Sequence, residues 1–297
     1  MKWARRYLKR LVPKRLRRKW RSPLVLHFDE AFANRADFQH FIDLHPDLRN
    51  AEFIHAAARR VCQRGAIEPL TGHIIPHDRL VFTDSLREGM FHDGLNARMR
   101  AVWLAMERVM AAYAMHDPAI YAPEAITPMA MRLRGIFPRF IGSEYVEDAS
   151  RAAALYPIQV QDLQALDLRA DAFDLVVTNE VLEHVPSIDS ALSEIHRILK
   201  PGGMHVGTMP FMYYQDESIV RARLENGQIV HLMEPEYHGN PVDPEGGALA
   251  FEIPGWNLLD RARAAGFRTA HMRFILSTAH GCICEGIGGI LILEMRK

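Results

Sequence analysis

The residues best suited to chemistry lie in a short loop from Asn179 to His184, which holds an amide, two carboxylates and an imidazole. Glu183 and His184 are adjacent, and an imidazole with a pKa near neutrality can take a proton from a hydroxyl group. The same residue types can also be structural, since His184 can cap the following turn or hold the loop. The loop predicts a polar ligand site with a proton acceptor, and a structural role for His184 is the alternative.

The residues around this loop predict the unit that positions it. Phe173–Val177 is apolar, rich in β-branched residues and too short for a typical helix, so it predicts a buried strand. Apolar residues then recur at helical spacing until Lys200-Pro201-Gly202-Gly203, which predicts the helix end, and Met204–Met209 predicts a second strand. Such a unit implies a parallel sheet, with ligands at the carboxyl ends of its strands. The helical positions are Ile188, Leu192, Ile195, Ile198 and Leu199.

The run from Phe173 to Phe211 resembles the second half of the core of class I S-adenosylmethionine-dependent methyltransferases, in the small-molecule, methyltransferase type 11-like group. The resemblance implies an α/β, Rossmann-like, doubly wound fold. Its sheet has seven strands and is mostly parallel, with an antiparallel last strand. It also implies S-adenosyl-L-methionine as the cofactor. The alternative is another kind of α/β domain with an acidic loop, because a fold alone does not identify a ligand.

The first half of this core departs from the family pattern at its cofactor turn. Ala122-Pro123-Glu124 stands where glycines belong, and glycine lets the backbone approach a ligand without a Cβ clash. Glu144, at the end of the next predicted strand, is placed to accept hydrogen bonds from both ribose hydroxyls. The alternative for Glu144 is a surface acid on a loop.

The resemblance also assigns residues further along the chain. It places Asp162 at the adenine amino group, with a neighbour on the ring, although Asp162 can equally cap a turn. Asn179 and Glu180 are expected near the methionine part of the cofactor. The predicted cofactor residues are Ala122, Pro123, Glu124, Glu144, Tyr145, Asp162, Leu163, Asn179, Glu180 and Leu182.

An insert at residues 212–253 is longer than usual connections and predicts a lid over the cofactor end of the sheet. Its polar and aromatic residues suit a polar or polyhydroxyl substrate. The predicted catalytic residues are Glu183, His184 and His238, and His231 is a further candidate base. The helical zinc motif with two histidines flanking a glutamate is absent from the insert, and no metal is expected at this site.

Residues 1–21 predict a basic amphipathic arm. The net charge of zero for the whole chain conceals this local excess of basic residues. The arm contains 11 of the 36 Lys and Arg residues and no acid, which leaves 25 basic against 36 acidic residues in the remainder. It predicts either a solvated tail or contact with an anionic membrane surface. The acidic remainder disfavours nucleic acid as a partner, because it would repel a phosphate backbone.

Residues 22–95 predict a small appendage, helical from 22 to about 60 and then rich in loops, before a core at 96–297. Related proteins often carry a zinc-ribbon-like segment there. Its ligands would be Cys62, His73, His77 and His92, although the sequence favours ordinary packing in place of a lost site. Three cysteines in all predict no disulfide framework and suit a reducing cytoplasm, with membrane association as a further possibility.

The sequence as a whole predicts an enzyme that methylates a small molecule or glycan, most readily at oxygen. A second hypothesis is a non-catalytic, methyltransferase-like scaffold or binding module in a polysaccharide-assembly pathway, and the non-glycine cofactor turn motivates it. An RNA or protein methyltransferase is the weakest hypothesis, because the insert is acidic on balance and the basic residues cluster at the N-terminus.

Overall fold

The computed structural model describes residues 26–146 and 148–297, so the predicted basic arm at 1–21 lies outside the described residues. The described chain divides into two compact units. The first comprises the residues up to Phe32, Ala36–His116 and Met272–Ile292, and the second comprises Ala33–Arg35, Asp117–His271 and Leu293–Lys297. The sequence predicted boundaries after residues 21 and 95.

The helices and strands are numbered in chain order. The helices are α1 (Arg35–Leu44), α2 (Ala51–Arg64), α3 (Ala97–Ala112), α4 (Pro128–Ile136), α5 (Ala149–Ala154), α6 (Ile188–Ile198) and α7 (Leu258–Ala264), with single 3₁₀ turns at Pro46–Arg49, His77–Arg79 and Leu182–His184. The strands are β1 (His27–Phe32), β2 (Ala66–Ile67), β3 (Ile74–Ile75), β4 (Ile120–Ala122), β5 (Phe140–Glu144), β6 (Gln159–Val160), β7 (Phe173–Asn179), β8 (Leu199–Thr208), β9 (Ile219–Val220), β10 (Ala222–Glu225), β11 (Gln228–His231), β12 (Tyr237–His238), β13 (Ala248–Leu249), β14 (Glu252–Ile253), β15 (Thr269–Ser277) and β16 (Ile290–Arg296).

The main sheet has the strand order β1-β15-β16-β8-β7-β4-β5-β6. Strands β6, β5, β4, β7 and β8 are parallel neighbours, and β16 runs antiparallel to β8. The order confirms the predicted Rossmann-like α/β fold with an antiparallel last strand. The sheet has eight strands rather than seven, because β1 pairs antiparallel with β15. The helical pattern expected from residue 22 is therefore wrong over β1.

The strand–helix–strand unit around the loop forms as predicted. Six of the seven residues of β7 are buried, as expected for a strand in the middle of a parallel sheet. Helix α6 begins after Ser187, whose hydroxyl accepts the amide of Ser190, and its apolar face is buried. Leu199 to Gly203 belong to β8, so the prediction of Leu199 as a helical position was wrong, and Lys200 to Gly203 are not a loop. Lys297 explains this difference, because it exchanges backbone hydrogen bonds of 3.1 and 3.0 Å with Gly202 and Gly203.

In the first unit, α3 begins after Asn96, whose side chain accepts the amide of Met99 at 2.8 Å. Arg100 of this helix is fully buried. Its guanidinium donates to main-chain carbonyls. This arrangement satisfies the buried charge and ties two loops of the unit to one helix. The acceptors are Met90, Leu95, His280 and Gly281.

The insert predicted as a lid folds into short antiparallel strand pairs. Strands β10 and β11 form a hairpin that turns at Asn226 and Gly227, both with positive φ, as a tight two-residue turn requires. Strand β12 pairs with β13, and β9 pairs with β14. Over residues 26–146 and 148–297, no helix combines the length and the apolar character needed to cross a bilayer.

Substitution of Gly207 tests how closely β8 packs against β7. A Cβ added there would lie 2.6 Å from the main-chain oxygen of Thr178 and would also clash with the hydroxyl of that residue. We expect Gly207→Ala to lower the free energy of unfolding by about 1–3 kcal/mol, because the neighbouring backbone cannot move freely. Urea unfolding followed by circular dichroism measures the change.

Gly135 supplies the matched control for this substitution. It lies inside α4, and a Cβ added there meets no atom within 4 Å. Gly135→Ala should raise the free energy of unfolding by about 0.5–1 kcal/mol, because alanine loses less backbone entropy on folding. Equal effects of the two substitutions would contradict the packing described for β8.

Candidate functional site

The sheet places the loops after β4 and β7 next to each other. Strands β4, β5 and β6 extend the sheet in one direction, and β7 and β8 extend it in the other, so the strand order reverses between β4 and β7. Ligands of open parallel sheets bind outside the carboxyl ends of the strands at such a reversal. The Ala122-Pro123-Glu124 turn follows β4, and Asn179 ends β7, so both predicted sites lie at this edge.

Two buried carboxylates hold the non-glycine turn in place. Glu124 accepts the main-chain amide of Asn179 at 2.9 Å and the hydroxyl of Thr127 at 3.1 Å, so it links the ends of β4 and β7. Glu144 accepts the amides of Ala125 and Ile126 at 2.7 and 3.0 Å, both through Oε1. Burial raises the pKa of Glu144, and the two amide hydrogen bonds oppose that shift. Glu144, which the sequence predicts to bind the ribose hydroxyls, therefore braces the turn through two hydrogen bonds.

Asn179 and Glu180 begin the loop after β7 in an unusual way. The side-chain oxygen of Asn179 is buried, and no hydrogen-bond partner for it exists in the described part of the chain. Glu180 has a φ of 54°, a left-handed conformation that non-glycine residues rarely adopt outside turns and functional sites. Its amide donates to Thr208 at 2.9 Å, which fixes the loop to the end of β8.

A cavity of about 450 Å³ lies beside this edge of the second unit. Asp162 lines it and accepts the amide of Gln164 at 2.8 Å, so the turn-capping role considered for Asp162 is present. The side-chain oxygen of Gln164 in turn accepts the amide of Ser187 at 3.0 Å, at the start of α6. The cavity is lined by Tyr145, Val146, Asp148, Arg151, Asp162, Gln164, His184, Pro186, Leu224, Ile229, Asn240, Asp243, Gly247, Ala248, Leu249 and Phe251.

The three predicted catalytic residues meet although one of them lies in the insert. Nε2 of His184 is 3.5 Å from Oε1 of Glu183, and Nδ1 of His238 is 3.7 Å from the same oxygen. The two imidazole rings lie 4.9 Å apart at an angle of 84°. Glu183 is fully buried, and neither of its carboxylate oxygens has a hydrogen-bond partner among residues 26–146 and 148–297. We refer to Glu183, His184 and His238 as the Glu-His-His cluster.

The second nitrogen of each ring is held from outside the cluster. Nδ1 of His184 lies 2.9 Å from the carbonyl oxygen of Leu249, and Nε2 of His238 lies 3.1 Å from a carboxylate oxygen of Glu236. The nearby carboxylates, Glu183 first and Glu236 second, raise the pKa of His238 to about 9, and burial opposes them. In the chain alone, His238 therefore carries a proton near neutral pH.

The insert also contributes residues that the sequence analysis did not assign to the site. Leu249 acts through its carbonyl group, and the amide of Phe251 donates to the carbonyl oxygen of Glu183 at 2.7 Å. Arg151 and Asp243 form an ion pair of 2.6 Å at the cavity. Main-chain groups leave no signature in a sequence, and the Arg151–Asp243 pair joins residues far apart in the chain.

The remaining predicted residues lie at the expected edge but differ in exposure. Ala122, Leu163 and Leu182 are buried, whereas the side chain of Tyr145 is about half exposed at the cavity. Their contacts with a cofactor stay predictions. Among the described residues, the group that meets the spacing for a metal ion is the Glu-His-His cluster. The zinc ligands considered in the appendage, Cys62, His73, His77 and His92, do not form such a group within those residues.

Comparison with known proteins identifies the segment around the site. A family model described as "Methyltransferase domain" matches residues 131–207, from within α4 to β8, and includes the loop after β7. The match confirms the resemblance to class I S-adenosylmethionine-dependent methyltransferases, whose cofactor is S-adenosylmethionine. It includes neither the Ala122–Glu124 turn nor the lid.

Individual relatives match less of the chain. An arsenite methyltransferase of Aquipseudomonas alcaligenes is 46% identical over 44 residues, which is 15% of this chain and 13% of the relative. A solved S-adenosylmethionine-dependent methyltransferase of Mesorhizobium loti is 16% identical, covers 66% of this chain and 98% of its own, and has a TM-score of 0.40. The Burkholderia thailandensis 1,6-didemethyltoxoflavin-N1-methyltransferase, solved with bound 1,6-didemethyltoxoflavin and S-adenosylhomocysteine, is 18% identical. The match covers 67% of this chain and 77% of that protein, with a TM-score of 0.37.

The role of Glu124 in bracing the cofactor turn is testable by substitution. Glu124→Ala removes the acceptor for the Asn179 amide and leaves that buried amide unpaired, so we expect unfolding to become easier by about 2–3 kcal/mol. Glu124→Gln keeps an oxygen acceptor of nearly the same shape and should lose less than half of that. Urea unfolding of the three proteins measures the difference. If both substitutions cost the same, the link from β4 to β7 is not what stabilises the turn.

Proposed function

We propose that this chain is an S-adenosylmethionine-dependent methyltransferase that transfers the sulfonium methyl group to an oxygen atom of a small molecule or glycan. The observation that carries the proposal is the convergence of three features on one sheet edge. They are the turn after β4, the Asn179–His184 loop after β7, and His238 from the insert. Residues separated by more than 110 positions in the chain thus surround one location, as an enzyme site requires.

One observation that is independent of the family match supports a fit between the residues at this edge and the cofactor. The buried side-chain oxygen of Asn179 has no hydrogen-bond donor within residues 26–146 and 148–297, and the ammonium group of a bound methionine moiety would supply one. The cavity beside Asp162 and Tyr145 has the volume of ordinary small-molecule sites, which span roughly 300–1,000 Å³. When bound, the cofactor supplies an electrophilic methyl group on a positively charged sulfur.

Within this proposal, His184 takes the proton of the acceptor hydroxyl. A carbonyl oxygen only accepts hydrogen bonds, so the contact with Leu249 fixes the proton of a neutral ring on Nδ1. Nε2 then carries a lone pair, and His184 lines the cavity. Glu183 and His238 act as positioning residues for His184. The negative carboxylate of Glu183 and the protonated ring of His238 balance each other's charge next to Nε2 of His184. The acceptor hydroxyl would lose its proton to Nε2 as its oxygen takes the methyl group, and the electron pair of the broken S–CH₃ bond would stay on the sulfur of the departing cofactor.

The chemistry of the cavity supports a polar acceptor of modest size. Arg151, Asp243 and Asn240 offer charged and amide groups along one part of the wall, and Leu224 and Phe251 offer apolar surface. Such a mixture suits a molecule with several hydroxyl groups on a compact carbon skeleton. The insert thereby takes the role of a lid that recognises the substrate.

A second candidate function is a scaffold that has lost cofactor binding. The observation that favours it is the bracing of the turn, because the Glu144 carboxylate already accepts two amides of the chain itself. A carboxylate engaged in this way has less capacity for the ribose hydroxyls. The two functions differ in one property, which is affinity for the cofactor.

Cofactor binding is the first prediction of the proposed function. Calorimetric titration with S-adenosylhomocysteine should give one site per chain, and Asp162→Ala should weaken binding at least tenfold, because an acceptor at the cavity wall is lost. Asp167→Ala is the matched control, since this exposed aspartate is only five residues away and is not among the cavity-lining residues. An absence of heat up to millimolar ligand would leave the scaffold as the better account.

The second prediction concerns the proton acceptor. His184→Ala should slow methyl transfer by about 10²–10⁴-fold, the usual contribution of a general base, while the affinity for S-adenosylhomocysteine stays within a factor of a few. Release of S-adenosylhomocysteine, measured across a panel of phenols, sugars and polyols, provides the rate. An unchanged rate in His184→Ala with an active acceptor would mean that the proton goes to another group.

A further inference from the structure

When His238 has released its proton, the Glu-His-His cluster presents three electron-pair donors to one point. Glu183 is fully buried with both carboxylate oxygens unpartnered within the described residues. The contacts of 3.5 and 3.7 Å to the two rings are longer than the 2.7–3.2 Å typical of hydrogen bonds from nitrogen to oxygen. A buried carboxylate in this condition is costly unless a cation neutralises it.

In their neutral forms, the rings of His184 and His238 each direct the lone pair of one nitrogen towards the Glu183 carboxylate. Leu249 and Glu236 offer only acceptor oxygens, so a neutral His184 is protonated on Nδ1 and a neutral His238 on Nε2. Nε2 of His184 and Nδ1 of His238, the atoms that face Glu183, then have no proton. Histidines that bind metals characteristically donate their other ring N–H to a carbonyl or a carboxylate in this way.

The spacing of these atoms matches the coordination sphere of a small divalent ion. Zinc bonds of about 2.0–2.1 Å at tetrahedral angles separate two ligand atoms by roughly 3.3–3.4 Å. The observed separations of 3.5 and 3.7 Å exceed this by a few tenths of an ångström, and all three ligand atoms lie within 4.8 Å of one another. Two imidazoles with one carboxylate favour a first-row transition metal over magnesium or calcium.

We infer that Glu183, His184 and His238 bind a divalent transition-metal ion of the zinc class, with Leu249 and Glu236 orienting the two histidines. Three protein ligands leave a fourth tetrahedral position for water or another oxygen ligand. His184 lines the cavity of the second unit, so the ion lies beside that cavity. The site was not expected from the sequence, because its third ligand lies 54 residues after the Glu183-His184 pair.

The consequence of such an ion for catalysis rests on the proposed function. With the ion bound, the lone pair of His184 is engaged, and the ion instead lowers the pKa of an acceptor hydroxyl at its open position. The hydroxyl proton then passes to solvent before the methyl group is transferred. Metal binding itself requires neither the cofactor nor an acceptor, so it can be measured separately.

The experiment uses the full chain after treatment with a chelator. Titration with Zn²⁺ by calorimetry, and with Co²⁺ by its visible d–d absorption, should give one ion per chain with the intensity of a four-coordinate site. Glu183→Gln and His238→Ala should each weaken Zn²⁺ binding more than 100-fold, and Glu236→Gln should weaken it about 10–100-fold, as expected for a residue that orients a ligand. Mg²⁺ should give no comparable heat.

His231→Ala is the matched control, since this exposed histidine belongs to β11 of the same insert but not to the cluster. It should bind Zn²⁺ like the unaltered chain. Circular dichroism checks that Glu183→Gln folds, and His238→Ala, whose ring is 27% exposed, answers the question if it does not. Failure of Zn²⁺ to bind, or equal affinity in the unaltered chain and His238→Ala, would overturn the inference. Zinc binding without S-adenosylhomocysteine binding would leave the metal site standing and remove the proposed function.

Discussion

The charge of one buried carboxylate governs the arrangement at the edge of the sheet. Glu183 follows the central strand β7 and is fully buried, yet no hydrogen bond of the described chain satisfies its oxygens. Two histidines approach it from different parts of the chain, and the insert also attaches to the Glu183 main chain through Phe251. The loop, the lid and the cavity therefore depend on how this charge is balanced, either by a protonated imidazole or by a metal ion.

The cofactor turn illustrates a different solution to a common constraint. A glycine-rich turn permits close approach because it lacks side chains. This chain instead uses carboxylates as internal braces, with Glu144 binding the amides of the turn and Glu124 binding the end of β7. The backbone is thereby fixed by hydrogen bonds to charged groups, which are stronger than those between neutral groups. The turn gains rigidity, and one carboxylate oxygen of Glu144 is engaged by two amides of the chain itself.

Local patterns predicted the central part of the fold, and long-range contacts explain the rest. The periodicity of α6 and the apolar run of β7 depend on neighbouring residues, so both were predictable. Strand β1 is polar and forms because β15 offers it a partner, and Lys200–Gly203 is extended because Lys297 pairs with it. In the candidate site, Glu183 and His184 could be predicted from the sequence because they are adjacent in the polar loop after β7. Their meeting with His238 and Glu236 depends on the folding of the lid, which no spacing rule describes.

A crystal structure of the chain grown with S-adenosylhomocysteine and Zn²⁺ tests the central claim most directly. The account predicts the homocysteine ammonium beside the side-chain oxygen of Asn179 and the adenine next to Asp162. It also predicts an anomalous scattering peak between Glu183, His184 and His238. A ligand bound away from the β4–β7 edge, or a Glu183 carboxylate turned away from both histidines, would contradict it.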